Sequence, residues 1–261
     1  MQAYYERHGA EDTWTEAWGH VDLPRLMRLC RASHLYHVLR AALPPWIHSR
    51  SLIVDAGCGP GAWVGILAED GFRVEGVDDN AAAVRHARKH GLMVHRGDVR
   101  ALPYDDWSVA VYLSLGVVEH DPRGPSSILR EAARVVCPGG LALVSVPYRN
   151  GLRRLFAPLI RWRQRRKKRA GCLFYQYTFS ESELTAALWH AGFCVVRSGP
   201  YGPTKMLRGL LTARQRAAVD RATAAGRLPW WKRLALRLFY TRVWLRLAGH
   251  MLLVLAVRRG E

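Results

Sequence analysis

The sequence lacks the features of a disulfide-bonded, zinc-binding or membrane-spanning protein. Its five cysteines, at positions 30, 58, 137, 172 and 194, are scattered and form no C-x-x-C pair. A disulfide framework or a zinc site is therefore not expected, and a reducing, cytoplasmic compartment fits best. No charge-free apolar run reaches the ~18–20 residues that span a bilayer. The first residues, which are polar and aromatic, do not resemble a signal peptide.

Acidic residues are also scarce. The 261 residues include 39 Lys and Arg against 21 Asp and Glu, which gives a formal net charge of +18. Such an excess implies contact with an anionic partner, which could be nucleic acid, phospholipid headgroups or a phosphorylated substrate. Much of it lies in residues 149–170, which contain ten Arg and Lys and no acid, and in the Trp-rich residues 228–247.

Apolar strand patterns alternate with helical patterns between residues 50 and 148. This alternation predicts a parallel sheet with right-handed crossovers, an α/β fold. Residues 1–49 are predicted to form an N-terminal helical cap, and residues 149–179 a basic insertion. Residues 180–261 return to the core and carry a second basic, Trp-rich helical insertion at about 203–246.

A glycine-rich turn follows the first strand of this pattern, in "VDAGCGPGAW" at residues 54–63. Its glycines fit both the dinucleotide-binding fingerprint and the G-x-G-x-G loop of S-adenosylmethionine enzymes. Both patterns include an acidic residue about 20 positions later that binds the ribose, and here that residue is Asp78. Asp55 favours S-adenosylmethionine, because a carboxylate suits the ammonium of its methionine part and would repel a pyrophosphate. Asp98, which closes the third strand, is placed to accept from an adenine amino group.

The sequence resembles the class I S-adenosylmethionine-dependent methyltransferases of the broad small-molecule type. The resemblance covers roughly residues 50–200 and rests on "VDAGCGPGAW", "VEGVDDN", "HRGDVRALPYDDWSVAVYLSLGVVEH", "ILREAARVVCPGGLALVSVP" and "YTFSESELTAALWHAGF". It implies a Rossmann-like, doubly wound sheet of seven strands with the last strand antiparallel, to which N-terminal helices and two basic helical insertions are added. It also implies S-adenosyl-L-methionine as cofactor and S-adenosyl-L-homocysteine as product.

The resemblance also implies which residues bind the cofactor. The residues expected at the methionine end are Asp55, Gly57, Cys58, Gly59 and Gly61. Asp78 is expected at the ribose, and Asp98 and Val99 at the adenine. Ser114 and Leu115 are expected to face the sulfonium. Asp79 is also placed among the cofactor-binding residues, although it departs from the family pattern, which usually has an apolar residue there that packs on the adenine. Gly116 replaces a Glu that some quinone-pathway relatives use for metal, so no metal is predicted.

Two residues are candidates for a catalytic role. His120, in the loop after the fourth strand, is the candidate general base for an oxygen nucleophile. The alternative is that Glu119 and His120 only organise that loop. Tyr5, in "YYERHG", is a candidate gate over the cofactor, and the alternative is a helical turn whose aromatic side chains pack on the body.

The predicted function is methyl transfer, preferably to oxygen, on a small-molecule or lipid-linked acceptor. The enzyme is expected to be cytoplasmic and peripheral on the inner face of the membrane, which it would contact through residues 149–170 and 228–247. A basic helical lid over the substrate pocket is the alternative use of these segments. Two other functions stay open: an RNA methyltransferase whose basic insertions bind phosphates, and an S-adenosylmethionine-binding protein without transfer activity.

Overall fold

A computed structural model describes residues 1–7, 18, 21–43, 51–202 and 241–260, which form a mixed sheet with helices on both faces. The strands are β1 (Gln2–Glu6), β2 (Ile53–Ala56), β3 (Val74–Asp78), β4 (Val94–Arg96), β5 (Val109–Leu115), β6 (Val136–Pro147), β7 (Leu173–Thr178), β8 (Phe193–Tyr201) and β9 (Met251–Arg258). The helices are α1 (Leu23–Arg31), α2 (His34–Ala42), α3 (Ala62–Glu69), α4 (Ala81–Lys89), α5 (Ser126–Val135), α6 (Gly151–Leu155), α7 (Ala157–Arg169), α8 (Glu181–His190) and α9 (Arg242–Ala248). A short 3-10 turn covers Val118–His120.

Seven strands form one sheet in the order β4-β3-β2-β5-β6-β9-β8. Strands β2 to β6 pair in parallel, whereas β9 runs antiparallel between β6 and β8. The predicted seven-stranded, Rossmann-like sheet with its last strand antiparallel is therefore confirmed.

The central strands are apolar along most of their length, as expected for a parallel sheet that is buried on both faces. In β2, Ile53 packs into one hydrophobic cluster and Val54 into another, as expected when successive side chains point to opposite faces. Helices cover both clusters. The carboxyl ends of the parallel strands thus meet at one edge of the sheet, where ligands bind in this architecture.

Local capping fixes several helix starts where the sequence predicts them. The Asn80 side chain accepts from the backbone N–H groups of Ala82 and Ala83, both at 3.0 Å, and begins α4. Ser180 and Glu183 form a reciprocal capping box at α8. The long helical pattern near the N-terminus is instead divided into α1 and α2, because Ser33 caps a new helix.

The structure differs from the predicted helical cap at its start. Gln2–Glu6 is a strand, β1, which pairs antiparallel with β7 from the end of the first basic insertion. Elsewhere in that insertion the chain is helical, in α6 and α7. Residues 203–240, most of the predicted second insertion, lie outside the described residues, and only its end is seen, in α9. No helix in the described ranges is long and apolar enough to cross a membrane.

Candidate active site

A cavity of about 880 Å³ opens at the carboxyl ends of β2, β3 and β5. The loops that follow these strands line it, and β7 closes one side. Most of the predicted site residues line this cavity: Asp55, Gly57, Cys58, Gly59, Asp78, Asp79, Asp98, Val99, Leu115 and His120. The structure therefore brings together residues that are up to 65 positions apart in the sequence.

The glycine loop approaches its neighbours too closely for larger residues. Gly57 has φ +82°, and its N–H donates to the carbonyl of Val77 at 2.7 Å. A Cβ at this position would lie 2.4 Å from Cγ2 of Val117. Gly61, which begins α3, also has a left-handed backbone. The loop can adopt this tight path because glycine has no Cβ.

Asp78 ties the glycine loop to the end of β3. Its Oδ2 accepts from the N–H of Gly59 at 2.7 Å, and its Oδ1 accepts from the N–H of Asn80 at 2.9 Å. Burial raises the pKa of this carboxyl, and the two backbone hydrogen bonds oppose that rise. Asp78 thus orders the loop, and its contact with the ribose stays a prediction.

Asp55 is a buried carboxyl that faces the same cavity. Its Oδ2 has no hydrogen-bond partner among the described residues. Burial, followed by the charge of Asp78, raises the pKa of Asp55 to about 7. A buried carboxyl without a partner fits a ligand that brings an ammonium group, as the methionine end of S-adenosylmethionine does.

The predicted adenine side is more polar than the family pattern. Asp98 forms an ion pair with Arg100 at 2.7 Å, which lowers the pKa of Asp98. Arg100 also feels the charge of the exposed Asp79, and all three residues line the cavity. Arg100 therefore adds a charged side chain to this part of the cavity wall, and the adenine contacts of Asp98 and Val99 stay predictions.

Two of the predicted residues, Cys58 and Ser114, are buried. Cys58 is buried, and its Sγ lies so close to Gly76 that a Cβ there would be 2.6 Å away. Burial raises the pKa of the Cys58 thiol. Ser114 is buried in β5 and does not line the cavity, whereas the next residue, Leu115, does.

His120 is held in one orientation by β7. Its Nδ1 lies 2.8 Å from the carbonyl oxygen of Tyr175, and the two rings meet edge to face at 5.4 Å. Because a carbonyl only accepts, Nδ1 carries the proton, and in the neutral ring the lone pair is on Nε2. Burial lowers the pKa of His120, so the neutral form is favoured. This is the state that a general base requires.

The neighbouring Glu119 is also buried in the cavity wall. Its Oε2 has no partner among the described residues, and burial raises its pKa to about 8. Within the described part of the chain, no group of three His, Cys, Asp or Glu side chains is arranged to hold a metal ion.

Tyr5 lies outside the lining of the cavity. It is part of β1 rather than of a helical turn, its N–H donates to Oε1 of Gln164 at 2.8 Å, and its ring packs edge to face on Phe174. Since Phe174 lines the cavity, Tyr5 would act only through that ring. Its role as a gate stays a prediction.

Several lining residues were not predicted from the sequence. Trp18 lies against Gly59, where a Cβ would be 3.4 Å from its ring, and Val117 lies against Gly57. Tyr175 and Arg100 also line the cavity. In the sequence, Arg100 stands out only because it lies two positions after Asp98. No local sequence pattern indicates Tyr175, because β7 reaches the site through its pairing with β1.

Comparison with known proteins agrees with this site. A family model described as "Methyltransferase domain" matches residues 54–144. A protein of Mycolicibacterium smegmatis, named a probable S-adenosylmethionine-dependent methyltransferase, is 36% identical over 99 residues, which are 37% of this chain and 38% of that protein. The Bordetella avium ubiquinone biosynthesis O-methyltransferase is 29% identical over 60% of this chain and 69% of its own length.

A solved structure shows the same fold. The geranyl diphosphate C-methyltransferase of Streptomyces coelicolor, in complex with Mg²⁺, geranyl diphosphate and S-adenosyl-L-homocysteine, superposes with a TM-score of 0.60 at 16% identity. The match covers 99% of this chain and 92% of that one. The glycine loop, the buried acids and the order of the strands agree with these similarities. The family model, the relatives named S-adenosylmethionine-dependent methyltransferases and the shared fold together support a class I S-adenosylmethionine-dependent methyltransferase domain in this chain, with S-adenosylmethionine as its cofactor.

Proposed function

We propose that this protein transfers a methyl group from S-adenosylmethionine to an oxygen atom of a small-molecule or lipid-linked acceptor. The observation that carries the proposal is His120, a half-buried neutral imidazole in the wall of the cofactor cavity. Its Nδ1–H is held by the Tyr175 carbonyl. A hydroxyl acceptor needs a proton acceptor at this place, and the neutral ring provides one at Nε2.

The cofactor, when bound, supplies a methyl group already activated on a sulfonium. The protein's own contribution is to bind, to align and to exclude water, which together can lower a barrier by up to ~7–11 kcal/mol in favourable systems. Asp55 would hold the ammonium and Asp78 the ribose hydroxyls, while Leu115 borders the cavity at the end of β5. The glycine loop lets the backbone lie close to the ligand.

His120 would accept the acceptor's hydroxyl proton on Nε2. Burial is the main cause of the lowered pKa of His120. The ring therefore stays neutral near pH 7 and can accept a proton. The proton on Nδ1 remains hydrogen-bonded to Tyr175 during this step. The resulting imidazolium would then be stabilised by that carbonyl oxygen.

The names of similar proteins support a small or lipid-linked acceptor. The Bordetella relative is named for O-methylation in ubiquinone biosynthesis, and the Streptomyces structure contains a prenyl diphosphate. The latter is a C-methyltransferase, so the fold alone does not choose the acceptor atom. His120, a candidate base for a hydroxyl, favours oxygen.

Peripheral association with the cytoplasmic face of the membrane is part of this proposal. It is supported by the basic residues 149–170, which form α6 and α7. Of the second segment, residues 228–247, only the part from Thr241 onward is among the described residues.

The test is incubation of the purified chain with methyl-labelled S-adenosylmethionine and fractionated lipid, RNA and small-molecule extracts. Label is expected in the lipid or small-molecule fraction. Label that appears only in RNA would overturn the proposal, and cofactor binding without transfer to any fraction would favour a binding protein. Asp78→Ala should abolish cofactor binding, whereas His120→Ala should bind cofactor normally and transfer slowly.

A further inference from the structure

Exposed apolar side chains are concentrated on two neighbouring helical segments. Of the fourteen large hydrophobic residues that are exposed in the described part of the chain, seven belong to these segments. They are Leu155, Phe156, Leu159 and Trp162 on α6–α7 and Val243, Trp244 and Leu247 on α9. A clustered set of this kind marks an interaction surface, unlike single exposed hydrophobic residues.

The apolar residues of α7 lie on the side that faces away from the protein. The packed side contains Gln164, whose Oε1 accepts from Tyr5, and Lys167, whose Nζ lies 2.8 Å from the Glu6 carboxylate. Leu155, Leu159 and Trp162 are spaced by four and then three residues, so they form one row along the helix. Each exposes half or more of its surface.

Cations surround this row. Residues 149–170 contain ten Arg and Lys and no acid. Among the residues that the structure describes, Lys167 is the one cation of α7 that forms an ion pair. Arg166 lies over the ring of Trp162 at 4.9 Å. We call the exposed side of α6–α7, with Leu155, Phe156, Leu159, Trp162 and these cations, the anchor face.

Helix α9 extends the apolar surface next to the anchor face. A Cβ on Gly151 of α6 would lie 2.8 Å from Cδ2 of Leu247, so the two helices touch closely. The Asn150 side chain, which caps α6, also donates to the carbonyl of Gly249 at 2.8 Å. These contacts fix α9 beside α6.

The anchor face is connected to the mouth of the active site through β1 and β7. Helix α7 packs on β1, which pairs with β7, and Leu173 to Gln176 of β7 line the active-site cavity. A second cavity, of about 890 Å³, is lined by Arg7, Arg166 and Lys167 among others. Tyr175 lines both cavities, so a basic recess adjoins the acceptor side of the site.

We propose that the anchor face docks on an anionic lipid bilayer and thereby brings the β7 side of the active-site mouth to the lipid surface. A row of Leu, Phe and Trp flanked by arginines fits a bilayer interface, where apolar side chains enter the acyl boundary and cations meet the headgroups. Nucleic acid would use the cations but would leave two leucines exposed. Docking deepens the peripheral membrane association proposed above. Uptake of a lipid-linked acceptor at this mouth rests on the proposed methyl transfer, whereas docking itself does not.

The first test is co-sedimentation of the full chain with vesicles. Vesicles that contain phosphatidylglycerol should bind it, pure phosphatidylcholine vesicles should bind at least tenfold less, and added salt should weaken binding. Leu159→Ser/Trp162→Ser should reduce binding at least tenfold. The matched control, Met93→Ser/Trp189→Ser, also removes two exposed apolar residues and should bind like wild type.

Several outcomes would overturn the docking proposal. They are equal binding by the two double variants, equal binding to both kinds of vesicle, and binding to an RNA oligonucleotide with none to vesicles. His120→Ala should bind vesicles normally. If vesicle binding is as expected but no methyl transfer is found, the proposed function fails and the docking surface stands.

The second test addresses orientation. A fluorescent dye at Leu173→Cys, with Cys172→Ser and Cys194→Ser to limit other labelling, should be quenched by nitroxide-labelled lipid. The same dye at Trp107→Cys should not be, because Trp107 precedes β5 and lies at the opposite edge of the sheet. Equal quenching at both positions, or quenching only at 107, would refute the proposed orientation.

Discussion

Cofactor affinity should depend on pH through Asp55, because this buried carboxyl holds a proton that a bound ammonium would displace. The pKa of Asp55 is raised to about 7 by burial and then by Asp78. If contact with the ammonium returns this pKa to its ordinary range, the association constant should rise about eightfold between pH 6 and 7.5. Most of this window lies below the pKa of an α-amino group, which is about 7.7–8.0.

Calorimetry can measure the proton directly. Titration of the protein with S-adenosylmethionine at pH 6, in two buffers with different ionisation enthalpies, should show release of about 0.9 proton for each ligand bound. At pH 7.5 the release should be much smaller. Asp55→Asn should bind more weakly at every pH, and both its affinity and its proton release should be nearly independent of pH.

Glu119→Gln serves as the control, because Glu119 is another buried carboxyl in the same cavity and also has an oxygen without a hydrogen-bond partner among the described residues. This variant should keep the wild-type slope if Asp55 is the group that titrates. The reasoning is refuted if Asp55→Asn retains the wild-type pH dependence, or if the wild-type affinity is flat between pH 6 and 7.5.

Three further predictions follow from the same region. Gly57→Ala should destabilise the fold in urea more than Gly71→Ala by about 1–3 kcal/mol, because both have a left-handed φ but only a Cβ at 57 meets Val117. Equal losses would contradict the close approach. His120→Ala should lower turnover about 10²–10⁴-fold without a change in cofactor affinity measured by calorimetry, and wild-type turnover would exclude it as the base. The native state keeps a proton on Glu119, whose pKa is raised to about 8 by burial. Wild-type stability to urea should therefore fall as pH rises from about 4.5 to about 8, and Glu119→Gln should flatten that fall.

The sheet could be predicted from the sequence because its signals are local. The apolar run of β2, the Asn80 cap of α4 and the Ser180 capping box each depend on residues within a few positions. The ribbon of β1 and β7 could not be predicted in this way. Its two strands are short and half-buried, and each is stable only because a segment about 170 residues away pairs with it.

The candidate site also has one part that the sequence predicts and another part that only the folded structure shows. Asp55, the glycine loop and Asp78 follow from their spacing, because a strand, a turn and the next strand fix where they lie. Tyr175 could not be found, since its contact with His120 is a tertiary one across 55 residues. The polar surroundings of Arg100 were also missed, because only the folded chain shows that Asp98 and Asp79 both face it.

The hydrogen bond that orients His120 ends on a main-chain atom, and this has a consequence for mutagenesis and for evolution. Replacing the side chain at position 175 changes the ring contact with His120 but leaves the carbonyl oxygen in place. An alanine scan of β7 would therefore miss the contact altogether. What must be preserved is the path of the strand, which depends on its register with β1. An insertion or deletion in either strand would therefore move the acceptor and release the imidazole.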